Sequence, residues 1–393
     1  MGSVKTLETE VCILGGGPAG MVLGNLLHEQ NVPCIVVEKL DPESIKAEGR
    51  AGIIEWTTVA ALQQHGLAKQ MLSDHRTQGQ CEFRTPKWTF MLDYANLNGG
   101  KVHTVYPQTD LVYDLSNVFE QRNGQALYRV EGQSIEQSTD GVTINCVQAD
   151  GEQLTIHASF LVGCDGGRGL SKRSIPKEAA RVYHQAHNIH WIAILAQTKP
   201  YFPYTIYAMH PDGMAAFLMR NDLVCRYYLQ IEGDDDLENW NENRIWTTLE
   251  QRFFMGNKNL HRGAIFKKNK MSLHSLVTDP MRYQRIFLAG DAAHLIPPTG
   301  AKGMNLAIHD VLVLAELLID HHHGKIDSGD LDLYSQIRLP LIWKAQNFSL
   351  QLMNMIHKHP SDFDQELWMS KMKQLENSST FATNFSVDYV GVL

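Results

Sequence analysis

The feature that most limits this chain is the run Gly15-Gly16-Gly17-Pro18-Ala19-Gly20. It follows an apolar stretch, Glu8 to Leu14, that reads as a strand, and it opens a stretch, Met21 to Gln30, that reads as a helix. A second apolar strand, Pro33 to Glu38, completes a βαβ unit. The run fits the GxGxxG pattern. Gly15 permits a tight turn, Gly17 lets the backbone approach a pyrophosphate at the helix N-terminus, and Gly20 lets helix and strand pack closely. Glu38 ends the next strand at about the ~20-residue distance expected for an acid on a ribose hydroxyl. The competing reading is an ordinary glycine-rich βα turn with a surface Glu38. The fingerprint does not say which dinucleotide binds.

The other end of the chain narrows this. Arg285 to Ala289 reads as a buried strand ending at Gly290-Asp291, and a Gly/Pro loop then leads into a helix starting near Gly303. An aspartate at a strand end can hydrogen-bond a ribityl hydroxyl. A helix start preceded by Gly300 and Gly303 presents free N–H groups and a positive dipole end, which suits the anionic N1–O2 edge of a reduced flavin. A plain strand-loop-helix corner is the competing reading.

With 393 residues the chain exceeds the size of one growing core, so two interleaved or successive domains are expected. A net charge of -8 with dispersed Lys and Arg offers no basic stripe for nucleic acid. The six cysteines show no CxxC spacing, which argues for buried free thiols in a reducing cytosol and against zinc or disulfides. No signal peptide and no run of membrane-spanning length is found, so no membrane association and a cytoplasmic location are expected. His321-His322-His323 reads as a solvated helix end, and no metal is assigned. Helices are expected over Glu55 to His65, over Asn241 to Phe254, and from Asn305 to about Lys358, with a short tail at Tyr389 to Leu393. Strands dominate Gln80 to Asp93, Ala126 to Cys164 and Asn188 to Ile231. The middle strands then form a second sheet beside a nucleotide-binding domain built from both chain ends.

The segments GGGPAG, GCDGGRG at Gly163 to Gly169 and GDAAHLIPPTGAKGMN at Gly290 to Asn305 resemble, in order and spacing, the three signatures of the class A flavoprotein monooxygenases. Within that class RAGIIE at Arg50 to Glu55, VYPQTDL at Val105 to Leu111, RYYLQ at Arg226 to Gln230 and YVG at Tyr389 to Gly391 resemble segments of the 4-hydroxybenzoate 3-hydroxylases. The likeness spans essentially the whole chain. It implies an α/β fold, with a Rossmann-like FAD-binding domain, an inserted β-sheet substrate domain and a helical C-terminal part. The corresponding segments are 1–180, with strand-rich insertions near 75–100, then 181–271, then 272–393.

The resemblance further implies a reaction: NADPH or NADH and O2 are used to hydroxylate a small para-substituted benzoate ortho to its donor group, through a flavin C4a-hydroperoxide. Gly15, Gly17, Gly20 and Glu38 would hold the ADP half of FAD, and Arg50 and Gln108 the phosphate and ribityl region. Asp165 would lie near both cofactors, Asp291 would bind the ribityl chain, and Gly300, Gly303, Met304 and Asn305 would line the ring. Arg220 would pair with the substrate carboxylate as a bidentate partner. Tyr207 would bind the phenolic oxygen, Tyr389 would relay its proton, and Tyr228 and Pro298 would complete the pocket. The loop Arg50 to Gly52 would move, and a homodimer is expected. On residues alone, Tyr207 reads as a strand tyrosine, Tyr389 as a surface anchor, Arg220 as a turn arginine and Lys302 as a solvated loop lysine.

The pattern departs in places. Leu218 stands where the family carries a serine, which removes one hydrogen bond to a carboxylate at a cost of ~1–3 kcal/mol. Thr77 stands where a histidine passes the phenolic proton to solvent. Glu48 and His274 replace arginines, while Lys39 and Lys172 partly compensate, so NADH against NADPH stays open. These departures keep alternatives alive: 4-aminobenzoate, a hydroxypyridine carboxylate, or a protein that binds FAD without oxygenating.

Overall fold

The computed structural model describes residues 5–47, 52–74, 76–256 and 258–391. The expected sites Glu48 and Arg50 lie outside these residues. Two eight-stranded sheets carry the architecture. In the first, Lys5–Leu14 runs parallel to Cys34–Glu38 on one side and to Gln153–Gly163 on the other. Gln125–Tyr128 and Ile286–Leu288 extend it, again in parallel. Leu14 pairs with Val37 and with Gly163, and Gly163 pairs with Leu288. The carboxyl ends of four strands therefore meet at one edge, the place where an open parallel sheet offers a crevice at its topological switch point. These strands are near-continuous apolar runs because helices cover both faces. Pro18–Glu29 and Lys302–His322 are among those helices, and their apolar faces join one core with the sheet.

The second sheet is mainly antiparallel. Its spine is the pair Arg181–Gln197 and Ala264–Asp279. Val224–Ile231, Ala215–Met219 and Thr205–Ala208 follow outward from it. Two corrections to the expected segments arise here. The strand Ala264–Asp279 continues past the anticipated limit at 271: Met271 and Ser272 pair with Trp191 and His190, and after a register shift the ladder resumes at His274 with Ala186. Cys81–Thr85 and Trp88–Leu92 also belong to this sheet, since Cys81–Thr85 pairs in parallel with Thr205–Ala208. The strand beginning at Arg181 also starts earlier than the expected Asn188.

Side chains alternate across this sheet. Ile206, Ala208, Phe217 and Tyr227 enter a core under the helix Glu242–Phe254, while Tyr207, Ala216 and Tyr228 enter a different one. The second core is closed by Leu333–Ile356 and by two further helices, Asp362–Asn377 and Ser379–Val390, the last of which takes in Tyr389 and Val390 of the expected short tail. The helix Trp56–Gln64 sits where expected, with Gly66 at φ 68° beyond its end. All six cysteines are free thiols. Among the described residues no helix is long and apolar enough to cross a membrane, and no cluster of three or more His, Cys, Asp or Glu is placed to hold a metal.

Candidate active site

The glycine turn behaves as its sequence demands. Gly15 has φ 109°, and a Cβ there would strike the Cys164 carbonyl oxygen at 2.4 Å. A Cβ on Gly20 would meet the Gly15 oxygen at 1.9 Å, so the helix Pro18–Glu29 can approach the first strand only without it. A Cβ on Gly17 would meet nothing within 4 Å, because its open side faces two cavities. One, of about 310 Å³, lies over the carboxyl ends of the parallel strands between Gly15, Glu38 and Asp165. The other, of about 590 Å³, lies between the two sheets. Gly17, Gln108, Cys164 and Gly166 line both, so the two spaces form one elongated groove.

Glu38 accepts hydrogen bonds from the Gly16 N–H (2.7 Å) and the Leu40 N–H (2.9 Å), and its carboxylate keeps further lone pairs for a ligand. Asp165 accepts from the Ser171 N–H (2.9 Å) and from the Ser171 hydroxyl, and burial holds its carboxyl above the ordinary value. Gln108 opens the helix Gln108–Gln121 beneath the junction of the cavities. Asp291 lies exposed just past Ile286–Leu288 and lines the larger cavity.

The Pro298 to Met304 corner turns through two left-handed residues, Gly300 (φ 80°) and Ala301 (φ 57°). A Cβ on Gly300 would press on Phe348 at 2.8 Å. The turn brings Pro298, Gly300, Gly303 and Met304 to the cavity wall at the start of Lys302–His322. Asn305 faces away from it. Its side chain accepts from the Glu55 N–H (3.0 Å) and donates to the carbonyls of Ile53 (3.2 Å) and Ala301 (2.8 Å), tying the Ile53 to Glu55 segment to the start of Lys302–His322. Lys302 is not a solvated loop lysine. It is buried, pairs with Glu55 at 2.6 Å, and donates to the backbone carbonyls of Asp388 and Tyr389. Desolvation raises the Glu55 carboxyl, against the pull of Lys302.

One row of the second sheet forms the floor. Ala193 pairs with Tyr228, Tyr228 with Ala216, Ala216 with Tyr207, and Tyr207 with Phe83. All five side chains face the same way by strand alternation. The Tyr207 hydroxyl lies 3.2 Å from the Tyr389 hydroxyl, both groups are buried, and desolvation raises both phenols. Tyr389 is therefore an interior residue and not a surface anchor. The neighbouring row holds Lys267, Leu195, Arg226 and Leu218. Leu218 turns its apolar side chain to the cavity. Arg220, two residues on, is 8 % exposed and lines the same cavity, so it is no surface turn residue. Its guanidinium donates to the Thr109 hydroxyl at 3.4 Å. Burial, then the nearby Arg226 cation, lowers its pKa, yet an arginine keeps its charge. A guanidinium removed from water beside a second cation favours an anionic ligand.

Sequence reasoning missed His103, Tyr94 and Asp310. His103 sits on the short strand His103–Val105, 1 % exposed, against Tyr389. Asp310 is buried and accepts from the Gly290 N–H (3.0 Å), the Arg338 guanidinium (2.9 Å) and His294 (2.7 Å), and thereby fixes the backbone ahead of Asp291. A histidine inside an apolar strand and an aspartate inside an apolar helix were the available signals.

A family model described as an FAD binding domain matches residues 8–349. The chain belongs to this FAD-binding family. It is 32 % identical to the p-hydroxybenzoate hydroxylase of Acinetobacter baylyi, across 99 % of this chain and 96 % of that protein. It is 27 % identical to the 3-(3-hydroxy-phenyl)propionate/3-hydroxycinnamic acid hydroxylase of Klebsiella pneumoniae, across 84 % of this chain and 59 % of that longer protein. The fold is shared with p-nitrophenol 4-monooxygenase from Pseudomonas putida, with a TM-score of 0.86, 18 % identity and 98 % coverage of each chain. The chain is thus an FAD-dependent aromatic monooxygenase. Its geometry fits the cofactor of that family. A groove of two joined cavities suits an elongated dinucleotide, and the bare side of Gly17 gives its phosphates close access to the backbone at a helix start.

Proposed function

We propose that this FAD-dependent monooxygenase hydroxylates a para-substituted benzoate, 4-hydroxybenzoate or a near analogue, ortho to its donor group. The observation that carries the reading is one cavity bounded by a buried tyrosine pair at one place and a buried guanidinium at another. A ring with a proton-bearing donor and a carboxylate matches that pair of features. Gly15, Gly17, Gly20, Glu38 and Asp165 would hold the adenosine and phosphate end of FAD, and Gln108 and Asp291 its middle. Gly300, Gly303, Met304 and Asn305 would border the ring, Asn305 through its backbone because its side chain is otherwise engaged. Bound FAD supplies reduction by NADPH or NADH and the activation of O2.

The chain's own groups prepare the substrate. Arg220 would anchor the carboxylate. Tyr207 would accept the hydrogen bond of the phenol, and Tyr389 would draw the proton onward, because a phenolate carbon is the better nucleophile. Tyr228 and Pro298 would fix the ring plane, and the enclosed apolar floor would keep water from the reacting atoms. Leu218 favours a second reading within the same class. It offers the carboxylate no hydrogen bond, and Thr77 cannot take up a phenolic proton, so 4-aminobenzoate, whose amine needs no deprotonation, or a hydroxypyridine carboxylate competes as substrate. A homodimer belongs to the same proposal.

The test is NADH and NADPH oxidation by the yellow holoprotein with each ring in turn. Stimulation by 4-hydroxybenzoate with a matching dihydroxy product and little H2O2 supports the reading. Stimulation that yields mostly H2O2 marks that ring as an effector only. No stimulation by any small aromatic acid leaves an FAD-binding protein without this activity.

A further inference from the structure

Two buried histidines flank the site, and their hydrogen bonds differ in one respect. His357 lies between the Met353 carbonyl, 2.6 Å from Nδ1, and the Trp191 indole N–H, 2.7 Å from Nε2. One proton on Nδ1 satisfies both links, and a neutral ring suffices. His103 lies between the Tyr389 carbonyl, 2.9 Å from Nε2, and the Tyr94 hydroxyl, 3.2 Å from Nδ1. The Tyr94 hydroxyl is itself 2.5 Å from the Gln78 carbonyl. Carbonyls only accept, so Nε2 must donate to Tyr389 and Tyr94 must donate to Gln78. With Nε2 protonated, Nδ1 of the neutral ring has no proton for the Tyr94 hydroxyl 3.2 Å away, and only an imidazolium could complete that link. The run of three links needs three protons, and a neutral imidazole with one phenol carries two.

We propose that His103 is the proton-holding residue of this site: it takes up a proton when the substrate's donor hydroxyl ionises. The proposal rests on the phenol-binding reading above. In balance, the substrate O–H bond breaks, an Nδ1–H bond forms, and a phenolate and an imidazolium replace a phenol and an imidazole. No oxidant or reductant is involved. The added proton completes the third link, and the phenolate charge favours the imidazolium. Position supports this. His103 and Tyr389 line the same cavity, their ring centres are 4.9 Å apart, and the Tyr389 hydroxyl meets that of Tyr207. The groups facing His103 are Lys302 with its partner Glu55, Tyr94 and Tyr389, with Tyr207 and Cys81 behind them. Burial, and then Lys302, push the His103 imidazole down to about 3, so the ring is neutral before substrate arrives and takes up a proton only where the buried phenolate charge offsets both effects.

The experiment mixes the FAD-loaded protein with 4-hydroxybenzoate in weakly buffered solution containing a pH indicator. It reads phenolate absorbance and proton release together, with ring nitrogen shifts of labelled histidine as a second measurement. The expected result is phenolate formation with much less than stoichiometric proton release, and imidazolium shifts at His103. His103→Gln, which keeps a donor for the Tyr389 carbonyl, is expected to release a full proton for each phenolate formed. Tyr94→Phe removes the third link and is expected to raise proton release toward that level while the ligand still binds. Stoichiometric release by the unaltered protein, binding of the un-ionised phenol, or a neutral His103 ring in the complex overturns the proposal and leaves the substrate reading intact. Failure of the ligand to perturb the flavin spectrum at all overturns the substrate reading, and the proposal falls with it.

Discussion

At the scale of single residues the proposed function assigns anchoring and ionisation to separate groups. Arg220→Ala removes a buried cation from its anionic partner, a loss of about 2–5 kcal/mol. KM for the acid is expected to rise roughly 30-fold or more while FAD absorbance per protein stays unchanged. Loss of FAD instead would refute that assignment of Arg220. Tyr207→Phe keeps the ring in the floor and deletes the hydroxyl that meets Tyr389. Steady-state assays should show kcat for a phenolic acid reduced by roughly 10²- to 10⁴-fold, with a much smaller change for an aminobenzoate, which has no phenol to ionise. Equal losses for both rings would place Tyr207 in packing alone. Arg220 and Tyr207 were visible in the sequence only through family likeness. Next to Asn221 and Asp222, Arg220 looks like a turn residue, and nothing local reveals that Thr109 packs against it. His103 was hidden for a related reason. Its partners come from residues 94 and 389, and a strand pattern carries no record of what it faces.

At the scale of elements, legibility follows sequence distance. The strand, glycine turn, helix and acid at the N-terminus are contiguous, and each obeys a local steric rule, so they could be read directly. The parallel pairing of Cys81–Thr85 with Thr205–Ala208 joins segments more than a hundred residues apart, and neither strand's alternation names the other. The last two helices have weak apolar periodicity and take their order from docking onto the second core. The helix Lys302–His322 also does more than present its N-terminus. Through Asp310 it holds the Gly290 backbone at the end of Ile286–Leu288. Burial opposes the Asp310 charge, but His294, Arg338 and the Gly290 N–H together hold its carboxyl below the ordinary value. A depressed carboxyl contributes its stability above the unfolded-state pKa of about 3.9 and loses it as pH falls through the lower folded value. Asp310→Asn should therefore cost about 3–5 kcal/mol in denaturant unfolding at neutral pH. The difference from the unaltered protein should narrow in strong acid, and an undiminished difference there would contradict the linkage.

At the scale of the molecule, the two sheets are joined by the spine Arg181–Gln197 and Ala264–Asp279 and by the groove between them. A ligand filling both cavities touches the first βαβ unit, the Pro298 to Met304 corner and the second sheet at once. FAD added to apoprotein at about 100 times its Kd should raise unfolding free energy by roughly 2.7 kcal/mol, measured by thermal or denaturant melts. Gly20→Ala, which sets a methyl group against the Gly15 carbonyl, should abolish most of that gain. A full gain in the variant would show that the tight helix approach is dispensable for the cofactor. The floor of the site has a consequence of a different kind. Tyr228 and Tyr207 are separated by Ala216 and flanked by Ala193, so the floor is a corrugation of two broad rings with methyl-sized gaps. Those alanines are buried beside the tyrosines and line the cavity, so a larger side chain at either would take its volume from the space left for the ring. A single exchange of one small residue there would accordingly change which ring fits without altering either phenol proposed to handle its proton.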